Sequence, residues 1–267
     1  MLIIAFLVLS LAVSIIYVRI AGFVVWKAAL LFAGCFLALN VLYLLVLAVA
    51  SLFFSSSKPI AKQSAFCRGA CVGVSSLATG YCLVRAHVSG KEKLPKEGRF
   101  LMVSNHRSGF DALVVIEKLR EYNVSFISKI SNMAIPVLGR IAHGAGYLSL
   151  DRENNRKALE TILTAVDYLK RGICSMMVYP EGSRTRTGEM LPFHHGSFKI
   201  AQKAGVPLVI ASVRGSEKVL KNIFKGGTDV YLDILEVVPA ERVREMSTAE
   251  LADYSRSVIA ADLAATA

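Results

Sequence analysis

Hydrophobic and polar positions divide the chain into three regimes. Residues 2–18 and 28–54 are runs of seventeen and twenty-seven residues without a charge, separated by a link that Arg19 and Lys27 flank. A membrane-crossing helix needs about 20 apolar residues, so the second run is long enough to span with tilt, and the first sits at the short limit. Residues 69–84 are again uncharged but rich in Gly, Ser and Ala. Small side chains give little drive to insert, so this stretch predicts a helix lying on, or dipping into, a bilayer. A strand at 81–88 follows it.

From Arg99 onward, short apolar runs alternate with helical periodicity. Runs of four to eight residues read as buried strands at 100–104, 124–128, 145–150, 175–179, 208–213 and 230–237. Helical spacing covers 112–119 and is clearest at 153–170, where Ala158, Leu159, Ile162, Leu163, Val166 and Leu169 share a face. A helix at 197–204 is closed by Gly205. Another at 248–263 is opened by Ser247, with Glu250 at the capping-box position. Alternating strands and helices predict an α/β domain with a mainly parallel sheet flanked by helices, preceded by N-terminal membrane helices. The chain is thus expected to comprise a membrane region (1–57, one or two transmembrane helices), an interfacial or partly embedded helix (58–82), a globular domain (83–240) and a C-terminal helix (241–267).

Charge sharpens this picture. The chain carries 31 Lys+Arg against 20 Asp+Glu, and the first 57 residues hold only Arg19 and Lys27 and no acid. The globular part is therefore basic in its own right, which suits an anionic membrane surface or a phosphorylated substrate. Nucleic acid is not expected, because no recognition motif or aromatic interleaving accompanies the cations. Lys58, Lys62 and Arg68 follow the second apolar run, so the positive-inside rule sets that end, and the domain after it, on the cytoplasmic side of a membrane, expected to be the cell (plasma) membrane. If both runs span, Arg19 and Lys27 face outward against the same rule; the alternative is a first segment that is re-entrant or interfacial. The five cysteines match no zinc spacing and read as free thiols in a reducing compartment.

Candidate chemistry collects where strands end. Asn105-His106 follows one strand, and Asp111 comes five residues after the histidine across the turn-forming Ser108-Gly109. A histidine held by a carboxylate at a strand's carboxyl end is a candidate general base; Asp111 could equally be a helix N-cap and His106 a surface histidine. Tyr179-Pro180-Glu181-Gly182-Ser183-Arg184 ends a second strand, with Arg186 close behind. Guanidinium is suited to bidentate phosphate recognition. Lys129 follows a third strand, and Asp151-Arg152 a fourth. Lys129, Arg152 and Arg184 are expected to converge on one sheet edge beside His106. A base beside three cations suits deprotonation of a hydroxyl on a phosphorylated substrate. His194 and His195 look metal-like but lack partner spacing, and read as surface or substrate-loop residues; His143 reads as structural.

These stretches resemble the glycerolipid acyltransferases, most closely their 1-acyl-sn-glycerol-3-phosphate branch. The matching blocks are Asn105-His106…Asp111, Gly146 to Arg152, Tyr179 to Arg184, and Gly205-Val206-Pro207-Leu208-Val209, with Ser128-Lys129…Ile135-Pro136…Gly139 between the first and second. Tyr179 departs from a commoner Phe. The resemblance implies that His106 is the catalytic base on a glycerol hydroxyl and that Asp111 orients it. It implies a substrate-binding set of Lys129, Arg152, Glu181, Gly182, Ser183 and Arg184, with Glu181 bracing its loop. The expected reaction passes a fatty acyl group from acyl-CoA or acyl-carrier protein to the sn-2 hydroxyl of a lysophosphatidic acid-like acceptor drawn from membrane lipids, giving phosphatidic acid. No metal or cofactor is implied. Other lyso-lipids or glycerol-3-phosphate stand as alternative acceptors, and a thioester or ester hydrolase as an alternative class.

Overall fold

The computed structural model describes residues 2–21, 24–56, 58–185 and 189–266. Its centre is a seven-stranded sheet in the order β1-β7-β6-β2-β5-β3-β4. The strands are β1 (Val84–Ser89), β2 (Leu101–Ser104), β3 (Val124–Lys129), β4 (Leu148–Leu150), β5 (Ser175–Val178), β6 (Leu208–Arg214) and β7 (Thr228–Val238). Neighbours from β6 through β4 are all parallel, while β7 is antiparallel to β6 and β1 parallel to β7. Five strands therefore point their carboxyl ends to one edge, and the expected mainly parallel sheet is present.

Period-2 alternation puts different residues of one strand into two cores. Leu101, Val103, Met176, Val178, Leu208 and Ile210 face helices α7 (Asn155–Lys170), α8 (Lys199–Ala204) and α11 (Thr248–Ala265). Met102, Met177, Val209 and Ala211 face α4 (Gly109–Lys118), where Val114 and Val115 meet them. The central strands are buried on both faces, which is why they read as unbroken apolar runs rather than alternating ones. Helix α11 carries the expected capping box between Ser247 and Glu250. It belongs to the core: Leu251, Ala252 and Ile259 are fully buried, and Ser212 Oγ donates to Asp262 Oδ2 at 2.6 Å. Several elements differ from the pattern-based expectation. The strand expected at 81–88 begins only at Val84, because Tyr81 still belongs to the preceding helix. The strand at 145–150 shrinks to Leu148–Leu150, because Ala145 closes α6 (Leu138–Gly144) and Gly146 turns with φ +87°. The start of the helix expected at 197–204 is a 3₁₀ turn, His195–Phe198. A short helix, α10 (Ala240–Glu245), precedes α11.

Before the sheet come α1 (Leu2–Ala21), α2 (Val25–Ser51) and α3 (Ala65–Tyr81). The first two are long and apolar enough to cross a membrane and form a hairpin with most large apolar side chains exposed. The hairpin is seated on α3 rather than free of it. Tyr43 Oη donates to the Ala70 carbonyl at 3.2 Å, Phe36 packs edge-on to Tyr81, and Tyr81 Oη bonds Asn40. A Cβ on Gly73 would lie 2.3 Å from Tyr43 Oη, and one on Gly80 2.8 Å from Ile3, so small residues let the helices close up. The other side of α3 packs on α4 and α6; Cys67, for example, is fully buried. The Gly/Ser/Ala-rich stretch thus forms the expected helix, but as a bracket between hairpin and domain.

Candidate active site

The turn after β2 is built by side chains replacing backbone. Asn105, almost fully buried, extends the pairing of β2 with β6 by its amide group: Oδ1 accepts from Val213 N and Nδ2 donates to the Val213 carbonyl, both at 2.8 Å. With the ladder satisfied by a side chain, the main chain is released from the sheet. Ser108 is then the N-cap of α4, and Asp111, the third helical residue, returns the capping bond. Asp111 is therefore not itself the cap.

That cap folds the carboxylate back onto the histidine. Asp111 Oδ2 lies 2.8 Å from His106 Nδ1 and accepts from the backbone N–H groups of Arg107 (2.8 Å) and Ser108 (2.9 Å). The other oxygen, Oδ1, accepts from Ser216 Oγ. Asp111 is fully buried, whereas the His106 side chain is 17% exposed. A buried carboxylate with four donors is held in one orientation. It fixes the Nδ1–H tautomer and leaves Nε2 as the basic atom.

The loop after β5 clasps the same histidine. The Tyr179 ring stacks on the imidazole with centroids 4.0 Å apart and planes at 14°. Glu181 Oε1 accepts from His106 N at 2.6 Å, and its Oε2 accepts from Leu191 N at 2.8 Å. Thr185 N donates to the His106 carbonyl at 3.2 Å. Burial raises the pKa of Glu181, partly offset by these backbone donors, and raises that of Tyr179 well above the usual phenol range, helped by nearby Asp111. Glu181 is 3% exposed, so it braces the loop rather than offering its carboxylate to a ligand.

The cations are distributed around this centre. Arg184 is exposed, and its guanidinium lies 3.9 Å from where a Cβ on Gly109 would stand, above the His106–Asp111 turn. Arg152 reaches across from the end of β4 to donate to the Gly182 carbonyl. Gly182 has φ +73°, and a Cβ there would meet His194 Cδ2 at 3.0 Å and Arg152 Nη1 at 3.2 Å, so both conformation and space call for glycine. His194, expected as a surface or substrate-loop residue, is exposed, packs against this loop and donates its backbone N–H to the Pro180 carbonyl at 2.9 Å. Ser183 is exposed on the same loop. Lys129 ends β3 on this edge with an exposed side chain. Arg186 lies outside the described residues.

Three contributors carried no usable sequence signal for their roles: Ser216, the bridging amide of Asn105, and the stacked ring of Tyr179. Ser216 is 105 residues from Asp111, in a 3₁₀ turn (Ser216–Lys218) that follows β6. A hydroxyl just past an apolar strand is a common pattern, and only the adjacency of β2 and β6 gives it meaning.

A buried-carboxylate/histidine pair at the carboxyl edge of a mostly parallel sheet, with arginines on neighbouring loops, defines a general-base site next to an anion clamp. Residues 85–214 match the family described as Acyltransferase. The 1-acyl-sn-glycerol-3-phosphate acyltransferases of Salmonella typhimurium strain LT2 and Escherichia coli K12 are 32% and 30% identical to this chain over 163 residues. These are 61% of this chain and 66% of each relative, just under two thirds of the relatives' length. The crystal structure of the 1-acyl-sn-glycerophosphate (LPA) acyltransferase PlsC from Thermotoga maritima superposes with a TM-score of 0.59 at 27% identity, covering 72% of this chain and 76% of that one. Over residues 85–214 the chain carries an acyltransferase domain, and it is similar there to the glycerolipid acyltransferases.

Proposed function

We propose that the protein is a membrane-bound 1-acylglycerol-3-phosphate O-acyltransferase, moving a fatty acyl group from acyl-CoA or acyl-carrier protein to the sn-2 hydroxyl of 1-acyl-glycerol-3-phosphate. The observation that carries this reading is the His106–Asp111 pair at 2.8 Å beside the Arg152 and Arg184 loop. In this scheme His106 Nε2 removes the hydroxyl proton as the oxygen attacks the thioester carbonyl. The imidazolium so formed is stabilised by Asp111, and the proton passes to the departing thiolate. Arg184, Arg152 and Lys129 hold the acceptor phosphate, and Ser183 and Gly182 shape the loop against it. Bringing both substrates onto one sheet edge supplies much of the acceleration, since effective molarity is worth about 7–11 kcal/mol. No metal and no acyl-enzyme enter the scheme.

The membrane part of the proposal rests on α1 and α2, whose length and composition suit a bilayer. The acceptor then arrives laterally from the lipid, with the domain on the cytoplasmic side of the cell membrane, where Lys58, Lys62 and Arg68 follow the hairpin. The test is an assay of purified protein over a panel of lyso-lipid acceptors and acyl donors, read by lipid mass spectrometry. Thioester consumption is expected to require lysophosphatidic acid and to yield phosphatidic acid. Acceptor-independent release of free fatty acid would overturn the transferase reading.

A further inference from the structure

The excursion between β6 and β7 presents its apolar side chains to solvent. Val219, which opens the short helix α9 (Val219–Asn222), is fully buried and pins the segment to the domain, but Leu220 is 69% and Phe224 97% exposed. Lys218, Lys221 and Lys225 alternate with them, all exposed, and no carboxylate pairs with any of the three among the described residues. A surface protein segment that combines fully exposed large apolar side chains with unpaired cations suits the headgroup/acyl boundary of an anionic bilayer.

Position supports this occupant. The excursion leaves β6 at the carboxyl edge that carries His106, and it returns against the corner between α3 and β1. Thr228 N donates to the Leu83 carbonyl at 3.2 Å, and a Cβ on Gly227 would lie 2.2 Å from the same oxygen. Leu83 and Tyr81 are exposed at this corner, and Tyr81 is bonded to Asn40 of α2. The apolar surface of the hairpin therefore continues through Tyr81 and Leu83 to the excursion. We infer that the segment from Lys218 to Lys225 is a second membrane contact, with Leu220 and Phe224 inserted among the acyl chains and the three lysines among anionic headgroups.

The two residues just before this segment meet the catalytic turn. Ser216 Oγ donates to Asp111, and Glu217 pairs with Arg107 at 3.4 Å.

This inference rests on the membrane reading of the hairpin, and one experiment separates the two. The chain has a single tryptophan, Trp26, exposed near the start of α2, and it reports the hairpin directly. A second full-length protein carries Phe224→Trp with Trp26→Phe. Both are reconstituted into nanodiscs of phosphatidylglycerol and phosphatidylcholine, with acyl chains brominated or not. Bromolipid quenching and blue-shifted emission are expected from both indoles. Quenching of Trp26 without quenching of the Phe224→Trp indole overturns the excursion's role and leaves the hairpin reading intact; loss of both overturns both. A blue shift that depends on protein concentration without bromolipid quenching shows a second copy covering the patch and also overturns the inference. A companion variant, Leu220→Ser with Phe224→Ser, is expected to raise the surface concentration of acceptor needed for half-maximal rate by about tenfold, the equivalent of about 1.4 kcal/mol. Its turnover of a short-chain acceptor dispersed in detergent stays at the wild-type rate, and an unchanged vesicle assay counts against the inference.

Discussion

Asp111→Asn isolates the charge of the proposed dyad with little change of shape. The asparagine Oδ1 can occupy the site of Asp111 Oδ2 and accept from His106 Nδ1, Arg107 N and Ser108 N, all within 2.9 Å of that oxygen. Its amide then faces Ser216 Oγ, which can turn to accept. Fold and tautomer survive, and what disappears is the negative charge that meets the imidazolium. Two unit charges about 4 Å apart interact by about 4 kcal/mol at an effective dielectric of about 20. Losing that only in the transition state lowers kcat by about three decades, since each factor of ten is about 1.36 kcal/mol. Acceptor KM is expected to stay within about twofold, because the carboxylate touches no bound phosphate in the proposed scheme. Steady-state kinetics on purified protein checks the figure, with circular dichroism confirming the fold. A folded variant that keeps more than a tenth of wild-type kcat would refute the claim that Asp111 supports a charged histidine.

The remaining expectations concern the shell around this pair. Ser216→Ala removes the donor to Asp111 Oδ1 and leaves a fully buried oxygen unsatisfied; at about 1–3 kcal/mol, the loss is expected as a roughly five- to hundredfold fall in kcat together with a lower unfolding temperature in detergent. Gly182→Ala forces a Cβ into a φ +73° position within 3.2 Å of His194 and Arg152; acceptor KM should rise while donor KM holds, and equal change in both would argue against a phosphate-side loop. Glu181 gives a pH trend. Burial raises its folded-state pKa above the ordinary 4.5, so its contribution to stability is present below that value and is lost as pH rises through the folded pKa. The stability of Glu181→Gln relative to wild type is therefore expected to improve as pH rises above the ordinary carboxylate range, as read by detergent thermal scans; a gap independent of pH would contradict the buried-carboxylate account.

Much of the architecture was legible because its causes are local. Unbroken apolar runs announced the buried strands, and the Ser247…Glu250 spacing announced the last helix, since both depend only on neighbours in the chain. The strand at 145–150 was overestimated because its apolar residues serve a helix end and a glycine turn before any pairing begins. The short helices α5 (Ile130–Met133) and α6 between β3 and β4 were not foreseen, being too brief to show a period.

The sequence alone determined which groups can do chemistry and that several of them follow strand ends: His106 with Asp111 after one strand, and Arg184, Lys129 and Arg152 after others. Strand order is a property of non-local pairing, and it decided how these groups meet. Placing β2 between β5 and β6 brings Glu181 and Tyr179 onto His106 from one side, and Ser216 onto Asp111 from the other. It sets Arg152 on the Gly182 loop and turns Glu181 inward as a brace. Hydrogen bonds between residues 30 to 105 positions apart leave no periodic trace in a chain. They exist only once the sheet has closed the distance, so composition and spacing could name the base while the fold alone supplied what holds it.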